Sequence, residues 1–364
     1  MSDGNEKTTR ISKFKWGLGI FFILACFLAG IVLGLILFVT HGLSPLEPGE
    51  SVRLEIEPGM NTRAIAKKLE QEGIIRNATL FTYYVRYKKE GSRFQAGVYD
   101  MHPGMSHDEI IAKLNAGDTV PEETIRFTIP EGFTVEQMAK HLALLGYVNP
   151  DTFLELIQQP EQFSSQVVEQ IPDHPDIKFR LEGYLFPETY ELKSDADERE
   201  IIERMLKELE RKLEQLPSDW RERMEERGLD LHQLLTIASL VEREVVLDEE
   251  RPIVAGIIYN RLERGMMLQI DATVQYLFEE QKEIVEYRHL EIDDPYNTYQ
   301  NFGLPPGPIA SAGLKSIEAA LYPEETPYLF YVTRKDGSGG HYFAETYEEH
   351  QRNIELSKQA TPDS

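Results

Sequence analysis

Apolar residues recur along this chain in three different rhythms. From Trp16 to Val39 they run on for 24 residues without a charge. At 1.5 Å per residue, that is enough helix to cross a bilayer. Lys7, Arg10, Lys13 and Lys15 precede the run, and Glu47 and Glu50 follow it. The positive-inside tendency then places the N-terminus in the cytoplasm and the remainder outside, as a single-pass protein of the cell membrane. No small-x-small cleavage site follows Val39, and the run exceeds a usual signal core, so an uncleaved anchor is predicted. The spacer from Thr40 to Glu50 reaches at most about 35–40 Å, which keeps the protein's work close to the membrane.

A period of two comes next. Val52-Leu54-Ile56, Ala96-Val98 to Met101 and Ile125-Phe127-Ile129 alternate as strands do. Between them the chain repeats itself. PGMNTRAIAKKL (58–69) returns as PGMSHDEIIAKL (103–114) and, more weakly, as EGFTVEQMAKHL (131–142). Asn61, Ser106 and Thr134 hold one equivalent position, and all are good helix N-caps. Ser106 with Glu109, and Thr134 with Gln137, have capping-box spacing. A further helix from Asn77 to Lys89 presents Leu80, Phe81, Tyr84 and Val85 on one side. The order strand–helix–helix–strand–helix predicts a small α+β module over 51–120, behind a linker at 40–50.

The third rhythm is helical. Asp195 to Arg227 carries i, i+4 pairs such as Glu200–Arg204, Glu203–Lys207 and Glu208–Lys212, predicting solvated helix faces. Leu231 to Val245, LHQLLTIASLVEREV, has Leu231, Leu234, Leu235, Ala238, Val241 and Val245 at helix spacing. On a wheel of about 100° per residue, Glu242 falls within about 20° of Leu235, on the apolar stripe, and Glu244 about 180° away. Glu244 is therefore expected to be solvated. Glu242 is expected against apolar neighbours, where burial favours the protonated form that a general acid needs. The bland alternative is an edge carboxylate that reaches solvent or pairs with an arginine.

Three later stretches break periodicity. EGYLFPETY (182–190) is aromatic and reads as a packed loop or a sugar-facing wall. LQIDATVQYLF (268–278) reads as a strand end, an Asp271 cap and a helix. DPYNTYQNFGLPPGPIAS (294–311) is too rich in proline and glycine for a helix or a central strand. LFYVTRKDGSGGHYFAE (329–345) reads as two strands around a glycine-rich turn, with His341 structural. The tail after Leu356 is expected to be disordered.

Composition narrows the chemistry. The net charge of −24 argues against nucleic acid or an anionic membrane surface as a direct ligand. Cys26, inside the apolar run, is the lone cysteine, so neither a disulfide framework nor a thiolate metal site is available. No phosphate-binding glycine loop, H-E-x-x-H or G-x-S-x-G motif occurs, and neither a metal nor a cofactor is expected. Hydrolysis by two carboxylates would require a partner within about 5–10 Å, for which Glu182, Glu188 and Asp271 are candidates.

Together EGYLFPETY (182–190), IASLVERE (237–244), YNRLERGMMLQIDATVQY (259–276), DPYNTYQNFGLPPGPIAS (294–311) and the TPYLFYV–GGHYF pair (326–343) resemble the YceG-like endolytic murein transglycosylases. The resemblance implies an α+β fold with one transmembrane helix (16–39) behind a cytoplasmic tail (1–15). It also implies a LysM-like subdomain (51–120), a YceG-like catalytic domain (121–350) and a tail (351–364). It implies lytic cleavage between N-acetylmuramic acid and N-acetylglucosamine of nascent glycan strands, leaving 1,6-anhydro ends, beside cell-wall synthases. The family's A-S-[IL]-V-E glutamate falls on Glu242 as general acid and base. Glu182, Tyr184, Asp271, Thr273, Tyr296, Asn297 and Thr298 are the expected substrate-binding residues. The chain departs from the family pattern with Ala272 after Asp271 and with Glu188 where aspartate is usual.

Overall fold

The computed structural model describes residues 6–121, 123–278, 282 and 285–360, with side chains from Phe22 onward. It divides into two compact units, Met1–Glu123 and Thr124–Ser364.

The first unit opens with helix α1 (Glu6–Gly42). Its segment Phe22–Gly42 is long and apolar enough to cross a membrane. Then follow β1 (Val52–Ile56), α2 (Thr62–Gln71), α3 (Ala78–Tyr87), β2 (Gly97–Met101) and α4 (His107–Ala116). The two strands pair antiparallel, with Leu54 opposite Tyr99. Their inward residues pack against Ile65, Leu69, Phe81, Val85, Ile110 and Leu114 in a core of the unit's own. The caps are those expected: Asn61 accepts the Ala64 N–H, and Ser106 and Glu109 close a capping box.

The second unit contains β3 (Thr124–Thr128), α5 (Val135–Leu144), α6 (Pro150–Ile157), β4 (Thr189–Lys193), α7 (Glu198–Leu213) and α8 (Trp220–Glu226). It continues with α9 (Leu231–Glu244), α10 (Arg251–Glu263), α11 (Asp271–Gln275), α12 (Leu314–Leu321), β5 (Phe330–Thr333), β6 (His341–Ala344) and α13 (Tyr347–Gln359). β3 pairs antiparallel with β4, and β5 with β6. At the centre lies α9, buried from Leu231 to Val241 except at Gln233. Such a helix belongs inside a domain, because beyond its first turn every face of it meets protein.

Two expectations need correction, and one pair of alternatives is resolved. Residues 266–270, just before Asp271, form no strand, and Ile270, not Asp271, is the N-cap of α11. EGYLFPETY takes the packed-loop form of its two readings, since Glu182, Tyr184, Leu185, Phe186 and Tyr190 are all buried. The chain after Leu356 continues as helix to Gln359, with Ser357 Oγ donating to Thr333 O at 2.7 Å.

Candidate active site

The site grows out of the last turn of α9. A capping box starts that helix: the Asp230 carboxylate accepts the Gln233 N–H at 2.8 Å, and the Gln233 side chain accepts the Asp230 N–H at 3.1 Å. Two further anchors tie α9 to the proline-rich segment. Ser239 Oγ accepts the Ile309 N–H at 3.0 Å. His232 Nε2 lies 2.9 Å from Pro306 O. A carbonyl only accepts, so Nε2 carries the proton, and Nδ1 accepts from the Tyr184 hydroxyl at 2.9 Å.

The Glu242 side chain is turned inward, only 7% exposed, on a residue that is half-buried as a whole. It is not alone there. Arg251 Nη1 stands 3.2 Å from its Oε2, and the Gly313 N–H donates to the same oxygen at 3.0 Å. Arg251 is itself buried, and it also reaches Asp248 and Ser316. The pair therefore joins the end of α9 to the starts of α10 and α12. It is the arginine-paired alternative that the sequence left open. Close by, burial and the neighbouring Glu242 charge push the Glu131 carboxyl up from its usual value.

Glu244 corrects the sequence reading. Instead of facing bulk water, it lines a cavity of about 350 Å³ with Gln269, Asp271, Tyr299, Tyr331 and His350. The reason is α9's central place: with no outer face, opposite sides of its wheel both meet protein. Tyr331 Oη donates to Glu244 Oε2 at 2.9 Å. Tyr299 Oη donates to Asp271 Oδ1 at 2.5 Å. Burial pushes the Glu244 carboxyl up to about 7. The Tyr331 hydroxyl and the Ala272 N–H oppose that rise, and the Asp271 charge adds to it. At one wall Gln269 holds φ of +51°, a left-handed backbone, with its N–H donated to Thr298 O at 3.1 Å. At the other, Phe330 stacks on His350 at 5.2 Å and Tyr347 stands edge-on to Phe330 at 6.0 Å.

Of the expected substrate-binding residues, Asp271 alone lines this cavity. Glu182, Tyr184, Thr273, Tyr296, Asn297 and Thr298 are all interior. Their polar groups are bound within the protein, where they hold loops in place. Asn297 Nδ2 donates to Ile292 O at 2.7 Å and Leu290 O at 3.1 Å. Thr298 Oγ1 accepts the Ile270 N–H at 3.0 Å and lies 3.0 Å from Thr273 Oγ1. Glu182 accepts the Val135 N–H and the Tyr276 hydroxyl, and burial pushes its carboxyl up to about 8. Among the described residues, no group of three His, Cys, Asp or Glu is placed to hold a metal ion.

A family model described as the YceG-like family matches residues 54–356. The chain belongs to the YceG-like family. It is 38% identical over 326 residues to the endolytic murein transglycosylase of Bacillus subtilis, covering 86% of this chain and 88% of that protein. Against the endolytic murein transglycosylase of Streptococcus pneumoniae D39 it is 32% identical over 340 residues, covering 87% of this chain and 60% of the relative. The crystal structure of a yceG-like protein from Listeria monocytogenes aligns with a TM-score of 0.57 at 36% identity, covering 83% of this chain and 98% of that one.

On this YceG-like scaffold, the sequence reading missed most of the cavity wall, including Gln269, Tyr299, Tyr331 and His350. Gln269 and Tyr299 stand in stretches it had singled out, two residues before Asp271 and one after Thr298. Tyr331 and His350 lie in β5 and α13, and only the fold brings them to α9.

Proposed function

We propose that the chain is a membrane-anchored endolytic murein transglycosylase whose proton donor is Glu244. On this reading Phe22–Gly42 spans the cell membrane, the N-terminus is cytoplasmic, and both folded units lie outside, close to newly made glycan strands. The observation that carries the assignment is that Glu244 opens on the cavity beside Asp271, Tyr299 and Tyr331; burial there pushes its carboxyl up to about 7, which suits a general acid. The neutral carboxyl protonates the glycosidic oxygen between N-acetylmuramic acid and N-acetylglucosamine, and the C1–O bond breaks. The muramic C6 hydroxyl attacks C1 and passes its proton to the Glu244 carboxylate. The products are a free 4-hydroxyl and a 1,6-anhydro end, and no water is consumed. An intramolecular nucleophile has a high effective molarity, so no second carboxylate is required to activate water. Asp271, oriented by Tyr299, is placed to ease the positive charge that develops at C1.

Motif resemblance favours Glu242 for the same role. Its burial and its two donors support a structural one: the Glu242–Arg251 pair fastens three helices, and such pairs are costly to break. A second reaction has an observation in its favour as well. Asp271 shares the cavity with Glu244, and a two-carboxylate hydrolase would use such a pair.

One experiment separates these readings. The full chain in a mild detergent is incubated with purified peptidoglycan, and the fragments are weighed. Anhydro ends are expected, whereas reducing ends would mean hydrolysis. Glu244→Gln is expected to lower the rate about 100- to 10,000-fold with the fold unchanged. Glu242→Gln is expected to lower thermal stability while the surviving folded protein still cleaves. The reverse pattern would return the acid to Glu242.

A further inference from the structure

Whole-chain charge conceals a local exception in the first unit. A cavity of about 240 Å³ opens between α2 and α3, lined by Arg63, Lys67, Glu70, Thr79, Tyr83 and Arg86. In a chain of net charge −24, three of its lining side chains are cations. Among the described residues, Arg63, Lys67 and Arg86 make no ion pair. Glu70, the acid of the group, already accepts the Ala78 N–H at 3.1 Å.

The cavity lies close to the end of α1. The apolar stretch ends at Gly42, and a Cβ placed there would run into Leu80 and lie 3.9 Å from Asn77 Cβ. The first turn of α3 therefore rests on the end of the apolar helix. Arg76 Nη2, just before that turn, donates to Pro45 O at 3.4 Å. Thr79, on the same turn, lines the cavity, and α3 extends only about 15 Å from there. Tyr83 and Tyr87, 62% and 82% exposed, project from the same helix. Exposed tyrosines at the end of an apolar span mark the membrane–water interface.

We propose that this cavity binds the phosphate-bearing headgroup of an anionic phospholipid in the outer face of the membrane. The inference rests on reading Phe22–Gly42 as a membrane span. Unpaired arginines and a lysine are the side chains that hold phosphate. Cations next to an anionic membrane surface each strengthen binding roughly five-fold. A seated headgroup would pin the first unit to the membrane beyond the tether of α1.

The test uses the full chain in a neutral detergent, titrated calorimetrically with short-chain phosphatidylglycerol, short-chain phosphatidylcholine or inorganic phosphate. Saturable binding of phosphatidylglycerol alone is expected. The Arg63→Gln/Arg86→Gln variant should weaken it roughly 25-fold, and Lys67→Gln roughly five-fold. These residues are exposed, so circular dichroism and Tm should match the parent. Equal binding by parent and variants would overturn the proposal, as would equal binding of the two lipids. Tight binding of free phosphate that phosphatidylglycerol cannot displace would also overturn it. Carbonate extraction from vesicles checks the premise separately. A chain washed off by carbonate refutes the span, whereas a retained chain with unaltered lipid binding refutes the cavity alone.

Discussion

If Glu244 is the acid, the pH at which activity falls belongs to its carboxyl, and neighbours should move that pH in opposite directions. Tyr331 Oη donates to Glu244 Oε2 at 2.9 Å, and this bond favours the carboxylate. A hydrogen bond to a charged group contributes about 1.5 kcal/mol, and 1.36 kcal/mol is one pH unit. Tyr331→Phe should therefore move the alkaline limb of kcat/KM from about 7 up to about 8. Asp271 acts the other way, since its charge raises the Glu244 value. Asp271→Asn should move the limb down while leaving a group of the same shape beside Tyr299. The assay is the initial rate of anhydro-end formation from pH 5.5 to 9 at subsaturating glycan, with circular dichroism as the folding control. Limbs that move together, or a limb that ignores both substitutions, would refute Glu244 as the titrating group.

Two further predictions concern stability. Folded Glu182 holds its proton to about 8, against an ordinary 4.5. The native state thus binds more protons than the unfolded chain between those values, and stability falls as pH rises through that window. Glu182→Gln removes the titration, so urea unfolding followed by the buried Trp220 should show the variant gaining about 3 kcal/mol on the parent between pH 5 and 7.5. Gly256 in α10 has the Glu324 carbonyl where a methyl group would sit. Gly256→Ala should cost about 2 kcal/mol through the forced backbone shift, seen as a lower Tm.

The elements were largely legible because their signals are local. Asn61, Ser106 and Thr134 mark helix starts by side-chain chemistry alone, and all three cap as the spacing predicts. Strand alternation placed β1, β2 and β3 within a residue or so of where they lie. The side-chain environments were less legible, because they depend on what packs outside each helix. The wheel treated α9 as amphipathic and sent Glu244 to solvent. Yet Leu234 to Val241 holds no charged residue, which marks a helix enclosed on every side, and on such a helix no direction means water. The burial of Tyr296, Asn297 and Thr298 was equally hidden from the sequence. A polar, proline-rich segment suggests a ligand surface, but here Tyr296, Asn297 and Thr298 bond to the backbone of neighbouring stretches at Lys178, Ile292 and Ile270, as irregular structure under cover requires.

Gln269 shows what the cavity wall demands of the rest of the fold. Its left-handed φ of +51° is a conformation that glycine takes freely and glutamine resists by about 1 kcal/mol. An amide side chain is thus kept at the cavity's edge against the backbone's own preference. Gln269→Gly should yield a tougher protein that handles its sugar less well, and at this one position thermal resistance and turnover would be traded against each other.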